Sequence, residues 1–503
     1  MGKESVLHTG LTGLRRTDIL LPVLIAALIA CLGLLGEPAD VGTGIVAAIL
    51  FLVFSLGYVN RTWPVFLLIL LLPFQNLLVM LASYLFDISG AAITALKIWK
   101  EILVIVYLSY IASRAKFNRL DLTYVDYALL AYCMWATLYL IGFNSVLHSQ
   151  IKIFYQVESY RATVAFAGLY FLGRFIEHDG ESLKKFMAAL IAAGFAANVF
   201  GLVERFFFSS GLWAELGRNF WMSQGNNVAF LNGLPVNFYT YVSYFKVRRL
   251  ISSYGDPLIV GFANIFTLVL LHQMITNRTG GGINIFNKFK YAAFAVIGIA
   301  TLLSLTRAAI LGALIGIFVS SMFYLGKKGL AMAALITVSL CCLVFLSSAG
   351  QTLINATINL KDPSTVGHLA AYAVGIQNII RHPMGMGLGY GGYVTQLTGQ
   401  GARGAGESLF LTIAVEKGVI GLLIFLFFVF SLLLFLKRNV SYLNDNPASV
   451  IMAITIFSST IAYFLASLTT EHWQAFVSSG MFWLFCGLIV NEIQKRKNDS
   501  NAQ

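Results

Sequence analysis

Charge is what this chain has little of. Only 11% of its 503 residues are Asp, Glu, Lys or Arg, where a soluble domain carries about 25%. Hydrophobic residues make up 58%, and the mean hydropathy is +0.79. That scarcity excludes a water-soluble globular fold. Cysteine is sparse too: Cys31, Cys133, Cys341, Cys342 and Cys486 fall in or beside apolar runs, with no metal-ligand spacing and no disulfide framework. There is no P-loop, no nucleotide fingerprint and no soluble domain, so chemistry driven by cytosolic ATP is not expected. Glycines 385, 387, 389, 391 and 392 follow no strand. They read as tight turns or as places where backbone approaches substrate closely, not as a dinucleotide site.

What the chain has instead is uncharged runs from one end to the other. Runs near the ~20 residues that span a bilayer lie at about 19–36, 42–59, 65–85, 98–113, 123–143, 161–176, 186–207, 257–276, 290–304, 308–326, 329–347, 418–436, 449–467 and 473–491. The expectation is a single all-α polytopic membrane domain over 1–503, with about 12–14 transmembrane helices. The polar start "MGKESVLHTGLTGLRRTD" precedes a run of spanning length, so no cleavable signal is expected. Between Tyr291 and Gly326, 36 residues run with one charge, Arg307. As one helix they would rise about 54 Å, nearly twice the hydrocarbon thickness. The stretch must fold back, and "SLTR" is its only polar break. Arg307 is therefore expected at a hairpin tip.

With the N-terminus inside, 20 of the 34 Lys and Arg fall on the inner side, and each short inner loop holds at least one. This obeys the positive-inside rule with both termini cytoplasmic. The net charge of +12 is thereby topological, and no nucleic-acid partner is expected. Two long segments, about 208–256 and 348–417, fall on the outer side. Loops of that length in a compact protein are functional or disordered, and these are rich in aromatics, glycine and amphipathic pieces such as "TVGHLAAYAVGIQNIIRH". They are expected to be partly helical, and function is expected at the outer leaflet.

The outer charges are few. "YFKVRRLISSYGDP" carries Lys246, Arg248 and Arg249, with Pro257 suited to start a helix and Asp256 to cap it. Arg381 and His382 open "RHPMGMGLGYGGY"; Arg403 and Glu407 lie in "GARGAGESLFLTIAVEKGVIGLL"; Glu471 and His472 lie in "SLTTEHWQ". Arginine's rigid fork of donors suits phosphate oxygens. Several arginines at the outer leaflet, with no nucleotide site, point to a lipid-linked diphosphate, and a nearby carboxylate or imidazole would take an acceptor proton. Blander readings compete: snorkelling for Arg307, anionic headgroups for Arg248 and Arg249, helix capping for Glu407, interfacial hydrogen bonds for His382 and His472. Glu416–Lys417 reads as a local helix-end pair of little functional weight.

"RLISSYGDPLIVGFANIFTLVLL", "LLSLTRAAILGALIGIF", "IIRHPMGMGLGYGGY" and "ESLFLTIAVEKGVIGLLIFLF" occur in that order. Together, over about 245–435, they resemble the core of the bacterial O-antigen polymerase/O-antigen ligase superfamily. The resemblance implies a metal-independent, inverting glycosyltransferase of the membrane-embedded GT-C type, with no cofactor. It would sit in the bacterial inner membrane with its site facing the periplasm or cell exterior. Its substrate would be an oligosaccharide linked through diphosphate to undecaprenol. Arg307 and Arg248 or Arg249 would hold the diphosphate, with Arg381 and Arg403 as further candidates, and Glu407, His382 or His472 would be the base. "GAGES" stands where ligases usually carry "H(N/S)", which favours a polymerase of O-antigen, capsule or exopolysaccharide units over a ligase acting on lipid A core or another acceptor. A flippase of lipid-linked glycan is the alternative from another class. Membrane lipids, and a flippase and chain-length regulator of the same pathway, are the expected partners.

Overall fold

The computed structural model describes residues 62–88, 91–114, 121–147, 151–223, 229–242, 245–277, 288–323, 363–392 and 407–501, with a few isolated positions. The expected spans at 19–36, 42–59 and 329–347, Cys31, Cys341, Cys342 and Arg403 lie outside the described residues.

Thirteen helices make up the described structure: α1 (Trp63–Leu85), α2 (Ala91–Arg114), α3 (Tyr124–Phe143), α4 (Ile153–Phe175), α5 (Gly180–Phe207), α6 (Ser210–Met222), α7 (Pro257–Thr276), α8 (Phe289–Leu303), α9 (Arg307–Ser321), α10 (Pro363–Arg381), α11 (Leu409–Asn439), α12 (Pro447–Ala466) and α13 (Phe476–Asn501). Seven are long and apolar enough to cross a membrane: α1, α3, α5, α7, α11 (with the turn that follows it), α12 and α13. This is an all-α integral membrane architecture. Helices α2 and α4 are of spanning length but carry charged side chains, and α8 and α9 are shorter.

The buried centre is α13, which packs lengthwise on α4. A Cβ at Gly173 would overlap the Leu484 carbonyl, and one at Gly487 the Tyr170 carbonyl. Close backbone approach over small residues is how helices gain packing where lipid offers no hydrophobic drive. At one end of this pair the Asp126 carboxylate, fully buried, meets Arg174 Nε at 3.2 Å and accepts from Tyr170 OH at 2.7 Å, while Asp126 also closes a capping box with Thr123. A buried charge is tolerable only when paired and hydrogen-bonded in this way.

The long apolar stretch after residue 288 does fold back. Helix α8 runs up beside α7, with Lys290 Nζ donating to Met274 O near one end and Leu250 N to Leu303 O near the other. Helix α9 then descends on α7's other flank, bringing Ala309 to Gly261, Val269 to Gly316 and Ser320 to Gln273. The reversal occupies Ser304–Thr306, with Leu305 in the left-handed region at φ 51°.

The segment at 208–256 is partly helical, as expected, through α6, and it also carries short strands. After α6 it forms two short antiparallel pairs, β1 (Phe230–Leu231) with β2 (Leu234–Pro235), and β3 (Tyr239–Val242) with β4 (Phe245–Arg248). Asn232 and Gly233, both at positive φ, make the first two-residue turn. An Asn-Gly pair suits that hairpin geometry.

Candidate functional site at the mouth of helices 7, 9, 11 and 12

Asp256 caps α7 as the sequence indicates: its Oδ1 accepts from Leu258 N at 2.6 Å, with Pro257 as the first helical residue. One residue beyond the β4 strand, Arg249 is 8% exposed and spends its donors on backbone and hydroxyl. Nε reaches Ser304 O at 2.8 Å, Nη1 reaches Asn237 O at 2.8 Å, and Nη2 reaches Thr306 Oγ1 at 2.6 Å. Arg249 thus staples the β-hairpin segment to the α8–α9 tip. Burial lowers its pKa from the ordinary arginine value, the neighbouring Arg307 charge lowers it further, and Asp256 opposes both.

That tip presents Arg307, exposed, as the first residue of α9. Thr306, the N-cap, makes no side-chain cap bond; its hydroxyl instead takes Arg249 and donates to Pro257 O at 3.1 Å. A helix start without a side-chain cap, bearing an exposed guanidinium, is electrostatically suited to an anion. Arg248 points elsewhere. Its Nη2 donates to Glu204 O and Arg205 O at 3.1 Å each and lies 3.3 Å from the fully buried Glu204 carboxylate, at the end of α5. Of the two tandem arginines, Arg249 therefore adjoins Arg307 and Arg248 belongs to the α5 terminus.

The turn between α12 and α13 completes the mouth. Ala466, the last residue of α12, lies against Gly312, little more than one helical turn below Arg307. Ser467 O and Thr470 O both accept from Leu409 N, so the start of α11, and Glu407 just before it, sits on this turn. His472 packs its ring on Phe262 at 5.3 Å, and desolvation lowers its pKa, with Asp256 raising it and Arg249 lowering it. Glu471 accepts from Thr412 Oγ1 at 3.4 Å. Helix α10 leans on the same turn through Tyr372 OH and Leu468 O. One turn earlier on α10, His368 Nδ1 stands 2.9 Å from Glu407 Oε2, with side-chain exposures of 33% and 45%.

Arg249, Arg307 and Asp256 thus form one charged group with the His472 imidazole beside it, and Glu407 joins it through the 467–472 turn. Arg381 and His382 lie exposed at the far end of α10, His382 N bonding Asn378 O; no contact links them to that group among the described residues. His368 is a residue that sequence reasoning passed over, because its helix signalled only amphipathicity.

Glu416 and Lys417 are more than a local helix-end pair. Each is about 1% exposed, and they meet at 2.9 Å inside the bundle. Glu416 Oε1 accepts from Ser159 Oγ at 2.7 Å and from Gly389 N at 2.9 Å, and Lys417 donates to Thr163 Oγ1 at 3.0 Å. Helix α11 breaks at the next residue, Gly418, at φ 70°. The glycine-rich loop enters the break, with Val419 N bonding Pro383 O and Met386 N bonding Val415 O. Gly385 and Gly391 lie in close approach to α11 around Glu416.

Among curated proteins no match to this chain is found. Residues 292–426 match the family model described as O-antigen ligase, a stretch that runs from α8 through the Arg307 tip and Glu407 into the lower half of α11. Over those residues, 135 of the 503, the chain is similar to the O-antigen ligase family.

Proposed function

We propose that the protein polymerises lipid-linked oligosaccharide repeat units by inverting glycosyl transfer from undecaprenyl diphosphate, on the extracytoplasmic side of a bacterial inner membrane and with both termini in the cytoplasm. The observation that carries this reading is Arg307, exposed at the start of α9 and held there by buried Arg249. The family-like core, 245–435, would supply the chemistry. A growing chain would rest its diphosphate against Arg307 and the first turn of α9. The acceptor hydroxyl of the incoming unit would approach from the Glu407 side. Its oxygen bonds to the anomeric carbon on the face opposite the diphosphate, the carbon–oxygen bond to phosphate breaks, and undecaprenyl diphosphate departs with the electron pair. Arg307 would meet the charge developing on that leaving group, the step at which such stabilisation is most effective and which would need no metal. Arg249 serves by positioning; Arg381 and His382, exposed at the far end of α10, would stand outside the reacting centre. A flippase and a chain-length regulator would act beside it.

A second reading, ligation of a finished polymer to another acceptor, is favoured by the description of the matching family. Mass spectrometry of lipid-linked glycans separates the two. In cells lacking the gene, or carrying Arg307→Ala, a polymerase leaves a single lipid-linked repeat unit; a ligase leaves long lipid-linked polymer. Unchanged lipid-linked glycan in both strains would refute glycosyl transfer.

A further inference from the structure

Glu407 does not stand alone at the acceptor side. His368 Nδ1 lies 2.9 Å from its Oε2, is itself sealed from solvent, and has no hydrogen-bond partner of proper geometry, so a small turn of the ring would align it with the carboxylate. A third of the His368 side chain is exposed although Nδ1 is sealed, so that exposure falls on other atoms of the side chain. The two residues arrive from separate elements, α10 and the start of α11, and both elements are seated on the 467–472 turn, through Tyr372–Leu468 and Leu409–Ser467. The pair is thus built by the fold, not by sequence proximity.

A carboxylate beside one imidazole nitrogen holds the proton there, fixes the tautomer and leaves the other nitrogen as the acceptor. An imidazole also titrates nearer neutrality than a carboxylate, which makes it the more effective base at neutral pH. Resting on the glycosyl-transfer reading, we propose that His368 Nε2 is the general base for the acceptor hydroxyl and that Glu407 is its orienting partner. In the step, the hydroxyl oxygen bonds to the anomeric carbon and the bond to diphosphate breaks with its electrons leaving on phosphate. The hydroxyl proton passes to Nε2, and Glu407 stabilises the imidazolium that results.

The test uses the purified full-length protein in lipid nanodiscs with lipid-diphosphate-linked repeat units extracted from cells lacking the gene, following chain extension by mass spectrometry. His368→Ala is expected to lose about 100-fold or more in kcat, as removal of a general base does, and to regain part of it when free imidazole is added. Rescue would itself show that the variant is folded. Glu407→Gln, whose amide can donate to Nδ1 and so push the proton onto Nε2, should lose kcat with KM unchanged. Glu407→Ala should gain nothing from added formate. The proposal is overturned if formate restores Glu407→Ala, or if His368→Ala extends chains at the wild-type rate or ignores imidazole; Glu407 would then be the base itself. Failure of the wild-type protein to extend the chain at all would instead overturn the glycosyl-transfer reading beneath it.

Discussion

At the scale of single residues, adjacent arginines with the same charge do different work because their surroundings differ. Arg249 satisfies two buried acceptors, Ser304 O and Thr306 Oγ1, and a third, Asn237 O, on an exposed residue. Arg249→Met would strand Ser304 O, at about 1–3 kcal/mol for a buried group left unmade, and Arg249→Lys would not restore the fork. Arg307→Ala, at an exposed position, should change stability by no more than about 0.5 kcal/mol yet abolish chain extension. Thermal unfolding in detergent alongside the extension assay checks both, and equal destabilisation by Arg249→Met and Arg307→Ala would contradict the division of labour. His472 adds a pH dependence. Desolvation holds its imidazole below the ordinary pKa, so the folded protein declines a proton that the unfolded chain accepts near 6.5. The unfolded state then binds more protons, and stability contributed here falls as the pH drops through and below that value. His472→Gln should flatten the difference between unfolding temperatures at pH 7.5 and pH 5.5.

At the scale of elements, glycine decides where helices cross and where one breaks. Gly173→Leu or Gly487→Leu would force α4 and α13 apart, since each backbone already rests on the other's carbonyl. A loss of several kcal/mol, or no folded protein, is expected from either, read as the yield of monodisperse protein after extraction. Gly418→Ala is subtler: it sets a side chain at φ 70° against the Pro383 and Met384 backbone, at about 1–3 kcal/mol of strain. Its upper half-helix, Leu409–Lys417, should loosen first, seen as faster hydrogen exchange at Met386 and Gly387. Hydropathy could announce the spans, because lipid demands uninterrupted apolar length. It could not announce this break, because Glu416, Lys417 and Gly418 look like any helix terminus until their partners, Ser159, Thr163 and Gly389, are brought from elsewhere in the chain.

At the scale of the molecule, much of the plan was legible. Every expected span from 65–85 to 473–491 that falls on described residues has a helix over it, and the fold-back at "SLTR" followed from bilayer thickness alone. The cap at Asp256–Pro257 followed from local geometry. What stayed hidden depends on contacts across the fold: which tandem arginine faces the tip, which histidine meets Glu407, and where the glycine loop docks. One consequence concerns biosynthesis. Below the break, Val419–Leu436 carries no charge and is long enough to enter the bilayer unaided. The upper half carries an adjacent acid and base, each costing about 3 kcal/mol at mid-membrane if alone. The lower half is therefore able to enter the bilayer by itself, whereas the charged segment above it depends on α4 and the glycine loop, whose Ser159, Thr163 and Gly389 receive its acid and base.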